Sequence, residues 1–311
     1  MSMQSSLDVA SEVRSPEQAA EPGRPGYFVA GSGVPIVMLH SSLSSKSQWI
    51  SLADRLASRF RVIALDLCGY GDNPAIDASS SFTLDDEVRL IAAHLDRLVG
   101  PGERVHMVGH SYGGLVALRF AQSRSDRIAS LALYEPVAFR MLDDDDTALA
   151  DLKWLADQVH RLVATGRHRD AAHAFVDFWS GEGSYASMPL PVQAKLARRT
   201  DKIPLDFQAA WRWPQSAADL RAIVAPTLLL FGNRSPAMAQ RLVARLTRAL
   251  ADPSVCCVDA GHMGPIADAH RVNPWIEAFV DICAERAASA AIPRPTMRLL
   301  SISAPGATAH P

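Results

Sequence analysis

The sequence predicts an α/β fold: a mostly parallel central sheet flanked by helices, with a helical lid inserted between two strands. Three observations predict it. Short apolar runs alternate with longer segments of helical period, the pattern of a parallel sheet covered on both faces. The alternation breaks once, over a long stretch that keeps helical spacing and holds no buried-strand run. The chain is also long enough, at 311 residues with 48% hydrophobic, to bury a large core.

The strands expected in order are Ile36 to Leu39, Val62 to Leu65, Val105 to Val108, Ile128 to Leu133, Thr227 to Phe231 and Val255 to Val258. Helices are expected at Trp49 to Ser58, Leu84 to Val99, Gly113 to Gln122, Ala237 to Leu250 and Pro274 to Glu285. Between Ala138 and Pro214, Leu152, Leu155, Val159, Leu162 and Val163 recur at helical spacing, so residues 138–214 read as a lid. The core is then 26–137 joined to 215–285. Residues 1–25, rich in Ser, Glu, Pro and Gly, and 286–311, rich in Ala, Pro and Ser, read as disordered tails. The acidic run Asp143 to Asp146 reads as a solvated loop.

Composition narrows the function. Lys+Arg total 31 against 33 Asp+Glu, a net charge of −2, so no basic excess exists to bind nucleic acid. Four cysteines, Cys68, Cys256, Cys257 and Cys283, make neither a disulfide framework nor a C-x-x-C zinc pair and read as reduced thiols. No signal peptide or apolar run of membrane-spanning length is present, so a cytoplasmic protein with no membrane partner is expected. No metal or cofactor is implied. The sequence leaves the oligomeric state open.

The chemistry starts at Gly109-His110-Ser111-Tyr112-Gly113-Gly114, which lies between an apolar strand and the helical run Leu115-Val116-Ala117-Leu118. G-x-S-x-G in that context is a nucleophile elbow: a strained turn lifts the Ser111 hydroxyl beside a helix N-terminus, where developing negative charge is favoured. Small residues at 109 and 113 let the two chain segments pass closely.

With these residues, with Gly31-Ser32-Gly33-Val34-Pro35 before the first marked strand and Asp66-Leu67-Cys68-Gly69-Tyr70-Gly71 after the second, the chain resembles the α/β-hydrolase superfamily, the lidded serine-esterase-like branch. The resemblance spans nearly all of 26–285. The second loop is similar to the family's D-x-x-G-x-G, with Cys68 where arginine is usual.

A serine hydroxyl needs a base to attack at neutral pH. The resemblance implies His262, in Asp259-Ala260-Gly261-His262 after the last strand, as that base among ten histidines. His110 is expected to point toward the sheet and His40 to stabilise the loop after its strand. His94, His106, His160, His168, His173, His270 and His310 read as surface or packing residues. The family's usual acid position, after Thr227 to Phe231, reads Gly232-Asn233-Arg234-Ser235-Pro236 and holds no carboxylate. A subset of the family draws the acid from the preceding strand, which implies Glu135; adjacent strand ends lie about 5 Å apart, so the carboxylate can still reach the imidazole. Asp259 is the alternative, better placed to brace its loop. The oxyanion donors implied are the N–H groups of Tyr112 and Ser42, although Ser41 stands where the family has glycine.

Four of the six tryptophans, Trp154, Trp179, Trp211 and Trp213, fall in the lid with Phe175, Phe178, Phe207 and Tyr185. They suit a small apolar substrate or the packing of the lid itself. Basic and acidic residues balance along this stretch, so no anionic substrate is implied. The expected function is a serine hydrolase acting on a small, largely apolar carboxylic ester. Thioesterase, lactonase or carbon–carbon bond hydrolase activity on the same residues, or a non-catalytic small-ligand-binding protein, are the alternatives. Serine in place of aspartate as nucleophile argues against haloalkane dehalogenation and epoxide opening.

Overall fold

A computed structural model describes residues 26–77, 81–142, 147–213 and 216–291. Seven strands form one sheet: β1 (Tyr27–Ala30), β2 (Val34–Leu39), β3 (Phe60–Leu65), β4 (Val105–His110), β5 (Ile128–Tyr134), β6 (Thr227–Gly232) and β7 (Pro253–Val258). Their spatial order is β1-β3-β2-β4-β5-β6-β7, with β1 antiparallel to β3 and every other pair parallel. Flanking helices α1 (Ile50–Leu56), α2 (Leu84–Leu98) and α3 (Tyr112–Ser123) precede the first four of the five helices between β5 and β6: α4 (Thr147–Ala164), α5 (His168–Ser180), α6 (Leu190–Ala197) and α7 (Ile203–Arg212). Then come α8 (Ala217–Arg221), α9 (Ala237–Ala249), α10 (Gly264–Ala267) and α11 (Ala269–Ala291).

Two cores follow from the two-residue period of the strands. Val37, Leu39, Ile63, Leu65, Met107 and Leu131 join one apolar cluster, while their neighbours Ile36, Met38, Val62, Ala64, Val108 and Ala132 join the other. Burial on both faces is why these segments are near-continuously apolar in sequence. The α4–α7 helices add Leu152, Leu155, Val159 and Phe207 to the first cluster. Of the tryptophans in residues 138–214, Trp179 and Trp213 are buried and Trp211 packs on Phe139 with ring centroids 5.2 Å apart, whereas Trp154 is 59% exposed.

The structure departs from the sequence reading mainly at edges. Strand β1 is unmarked there because four residues, one of them the exposed Val29, carry too short a period to read. Helix α11 begins five residues before Pro274, which lies inside it, and continues to Ala291, so residues 286–291 are helix where a tail is expected. Proline favours a first turn, which is why the sequence places the start there. The rest of that tail, residues 1–25 and the run Asp143 to Asp146 lie outside the described residues. Among the described residues no helix is long and apolar enough to cross a membrane, and all four cysteines are free.

The chain runs from β2 outward to β3 and then back across β2 to β4. Connections therefore leave the carboxyl ends of β2 and β4 in opposite directions, opening a crevice there. His40-Ser41-Ser42 follows β2 and Ser111 follows β4, so both reach that crevice.

Candidate active site

Ser111 sits between β4 and α3 with φ 53° and ψ −117°, a left-handed conformation that costs a non-glycine residue roughly 1–3 kcal/mol. The surroundings impose it. Its N–H donates to Tyr134 O at 2.9 Å and its carbonyl accepts from Leu115 N–H at 3.1 Å. A Cβ on Gly113 would lie 2.4 Å from His40 O, and one on Gly109 2.7 Å from Gly113 O, so neither position admits a side chain. Ser111 occupies the N-cap position of α3 without a side-chain capping bond, and the first N–H of that helix, on Tyr112, has no intrahelical acceptor.

His262 follows β7 and lies 3% exposed with Nε2 3.1 Å from Ser111 Oγ. Its Nδ1 is 2.6 Å from Glu135 Oε2. Glu135, just past β5, is 1% exposed and also holds a positive φ of 44°. Its N–H donates to Leu230 O at 3.0 Å and its Oε1 accepts from Gly232 N–H at 2.7 Å, so β6 orients the carboxylate supplied by β5. Gly232 in turn packs under the histidine loop, since a Cβ there would meet Ala260 O at 2.1 Å. With Nδ1–H donating to Glu135, the ring presents Nε2 as an acceptor to the serine.

Asp259, the alternative acid, is exposed. It pairs with Arg271 and, at 3.2 Å, with Arg234, bracing the loop rather than meeting the imidazole. His110 points back toward the sheet and donates from Nε2 to His262 O at 2.8 Å. Burial, with His262 nearby, holds its pKa well below the ordinary histidine value, so it stays a neutral brace. His40 bonds Ser41 O through Nδ1 at 2.7 Å and accepts Leu67 N–H on Nε2 at 3.0 Å, fixing the loop after β2. Burial lowers its pKa to about 4 against the opposing pull of Asp66.

The loop after β2 explains how serine replaces glycine at 41. The left-handed residue of this loop is Leu43, with φ 60°, so position 41 does not require glycine's freedom. Ser41 is pinned by its N–H and its hydroxyl, both 3.1 Å from Gln48 Oε1. Ser42 Oγ donates to Asp206 Oδ2 at 2.6 Å, and Ser42, Ser111 and Tyr112 border one small cavity of about 20 Å³.

Behind Ser42 lies a buried ionic cluster with no signature in the sequence. Lys202 Nζ lies 2.5 Å from Asp206 Oδ1 and 3.2 Å from Glu87 Oε1. Tyr70 OH donates to Asp206 at 2.6 Å and Cys68 N–H to Glu87 at 2.9 Å. Burial opposes the Lys202 charge, but Asp206 and Glu87 outweigh it and hold its pKa above the ordinary lysine value. Burial raises the Glu87 pKa in spite of Lys202, and it pushes the Cys68 thiol up as well, which leaves that sulfur unreactive.

A second cavity of about 230 Å³ opens on Ser111 and His262 under α5 and α6. Trp179 stacks on the His262 ring at 4.4 Å and 25°, closing one side. The sequence marks Trp179 only as one aromatic residue among several; its contact with the imidazole exists only once α5 is docked. A wider cleft of about 620 Å³ between α2, α3 and α7 holds none of these residues. Among the described residues no three His, Cys, Asp or Glu side chains converge as a metal site.

A sequence model of the family described as alpha/beta hydrolase fold matches residues 34–269. The chain is similar to a haloalkane dehalogenase of Agrobacterium fabrum, 35% identical over 37% of this chain and 36% of that protein, so this match spans about a third of the relative's length. It is similar over a longer span to lipase LipV of Mycobacterium tuberculosis, 29% identical over 75% of this chain and 87% of the lipase. Among solved structures, a thermophilic esterase from Thermogutta terrifontis shares the fold at a TM-score of 0.64 and 24% identity, over 83% of this chain and 93% of the esterase.

Proposed function

This chain belongs to the alpha/beta hydrolase fold family, and from that premise we propose that it is a cofactor-free serine hydrolase that cleaves a small carboxylic ester through an acyl-enzyme. One observation carries the reading: Ser111 Oγ lies 3.1 Å from His262 Nε2, whose Nδ1 lies 2.6 Å from Glu135 Oε2. The hydroxyl therefore has a base, and the base has an orienting carboxylate, all three side chains belonging to buried residues.

In this reaction Ser111 Oγ attacks the ester carbonyl as His262 Nε2 takes its proton. The tetrahedral oxyanion forms against the N–H groups of Tyr112 and Ser42, reinforced by the N-terminal end of α3. Glu135 steadies the imidazolium. His262 returns the proton to the leaving alkoxide, which departs as alcohol, and water, deprotonated by the same imidazole, releases the carboxylic acid and restores Ser111. Helices α5 and α6 act as the lid, with Trp179 covering one face of the imidazole. Thioesters, lactones and the carbon–carbon bond of a diketone share the tetrahedral path, whereas a route through a carboxylate nucleophile is closed to Ser111.

Release of nitrophenol from 4-nitrophenyl acetate tests the reading. Wild type is expected to turn it over, and Ser111→Ala and His262→Ala to lose activity by several orders of magnitude. Equal rates in the three proteins would leave a non-catalytic ligand-binding protein as the better account. Matched thioesters and lactones in the same assay rank the scissile bond.

A further inference from the structure

The two cavities that meet at Ser111 differ in size and in chemistry. The smaller holds Tyr112 and Ser42 but not His262, and is bounded by Val137, Phe139 and Phe207. Its volume of about 20 Å³ matches one water- or methyl-sized group. The larger contains His262. Because the imidazole must hand its proton to the departing oxygen, the alcohol half of an ester belongs on the His262 side. That places the alcohol in the larger cavity and a short acyl group in the smaller.

The larger cavity has one apolar wall, including Phe175, Trp179 and Leu196, and a hydroxyl-rich wall of Ser41, Ser42, Ser44, Ser45 and Ser47. Lys195 and Arg199 complete it, and none of its lining residues is Asp or Glu. Arg199 Nη1 donates to Leu43 O at 3.1 Å and to Ser44 O at 2.8 Å, which fixes the guanidinium at the wall. Asp66 and Asp72 also act on Arg199, but Lys46 Nζ holds both carboxylates at 2.6 Å. Lys195 lies exposed at the rim of the cavity, and partial desolvation together with Arg199 and Arg198 lowers its pKa from the ordinary lysine value. Bringing an anion into this cavity would relieve that repulsion.

We propose that the substrate is a short-acyl ester of an alcohol bearing an anionic oxygen group, a carboxylate or a phosphate, held by Lys195 and Arg199 among the serine hydroxyls. This rests on the hydrolase reading above. It revises the expectation drawn from the balanced charges of residues 138–214: the balance holds along the chain, but the charges that face the cavity are all positive.

Three aryl acetates of similar shape test it: 4-acetoxybenzoate, 4-acetoxyphenylphosphonate and the neutral 4-acetoxybenzamide. At low salt, wild type is expected to favour at least one anion over the amide by about tenfold in kcat/KM, the scale of one charge-assisted hydrogen bond. The faster of the two anions identifies the group as carboxylate or phosphate. Lys195→Gln is expected to cut that ratio several-fold and Lys195→Glu to invert it, and the preference should shrink as salt screens the pair. Similar kcat/KM for all three acetates, with release still lost in Ser111→Ala, overturns the anion site and leaves the hydrolase standing. Absence of any Ser111-dependent release removes both.

Discussion

Two clusters of buried ionisable side chains lie on either side of the loop after β2, and they are built to opposite ends. Ser111, His262 and Glu135 form a line in which the imidazole joins the carboxylate to the hydroxyl and the serine residue still borders a cavity. Lys202, Asp206 and Glu87 form a closed set, with the ammonium between two carboxylates and the remaining carboxylate oxygens taken by Ser42, Tyr70 and the Cys68 N–H. Burial of charge therefore does not by itself mark reactivity. An uncommitted atom aimed at open space does. The closed set instead ties Lys202 and Asp206, from the region between β5 and β6, to Glu87 on α2 and to Ser42, the proposed oxyanion donor, so it holds α7 and the turn before it against α2 and the loop after β2.

The comparison breaks most sharply at Glu135. Replacing it with glutamine keeps an oxygen for Gly232 N–H but removes the charge under His262, and kcat is expected to fall by roughly 10³–10⁴ with the fold retained by circular dichroism. A fall of only a few-fold would make the carboxylate structural, like those of the other cluster. Next comes Lys202→Met, which strands Asp206 and Glu87 without their cation. Urea denaturation is expected to show a loss of about 3–5 kcal/mol, and adding Glu87→Gln and Asp206→Asn should recover part of it. If Lys202→Met were neutral, the cluster would not be a clamp.

A third effect comes from His40 under the same loop. Its folded pKa is about 4, lowered by burial from 6.5. The unfolded chain therefore takes up this proton as pH falls through 6.5 while the folded chain stays neutral until about 4. The unfolded state binds more protons in that window, so stability falls with pH, by roughly 3 kcal/mol at full titration. Denaturation midpoints measured between those limits should show a slope to which buried His106 and His110, also lowered by burial, contribute, and His40→Gln should remove only its own share of it. Smallest of all is Asp259→Asn: this exposed carboxylate braces Arg234 and Arg271, and kcat is expected to stay within about threefold.

The legible parts of the molecule are those whose cause is local. A buried parallel strand must be apolar on both faces, so β2 to β6 could be read to within two residues; β7 was read to the same margin although its first residues are largely exposed, whereas β1, four residues at the edge, carries too weak a pattern. Ser111 is legible because the elbow needs small residues at fixed offsets between a strand and a helix. Glu135 was reachable only by asking which neighbouring strand could stand in for an absent aspartate, and its positive φ leaves no trace in residue type. Trp179, Lys202, Asp206 and Arg199 were not legible in these roles, because each acts on a residue distant in sequence.

By itself, then, the sequence determined the alternation of strands and helices, the elbow at Ser111 and the lack of a carboxylate after β6, all consequences of short-range sterics and periodic burial. Only the tertiary structure decided which carboxylate meets His262, how Ser41 and Ser42 are held, and which charges face the pocket. The first depends on the side-by-side order of β5, β6 and β7 in the sheet, and the hold on Ser42 and the charges at the pocket depend on docking the helices between β5 and β6 over it. In both, residues about a hundred or more positions apart come within hydrogen-bond distance, and no pattern along the chain encodes that approach.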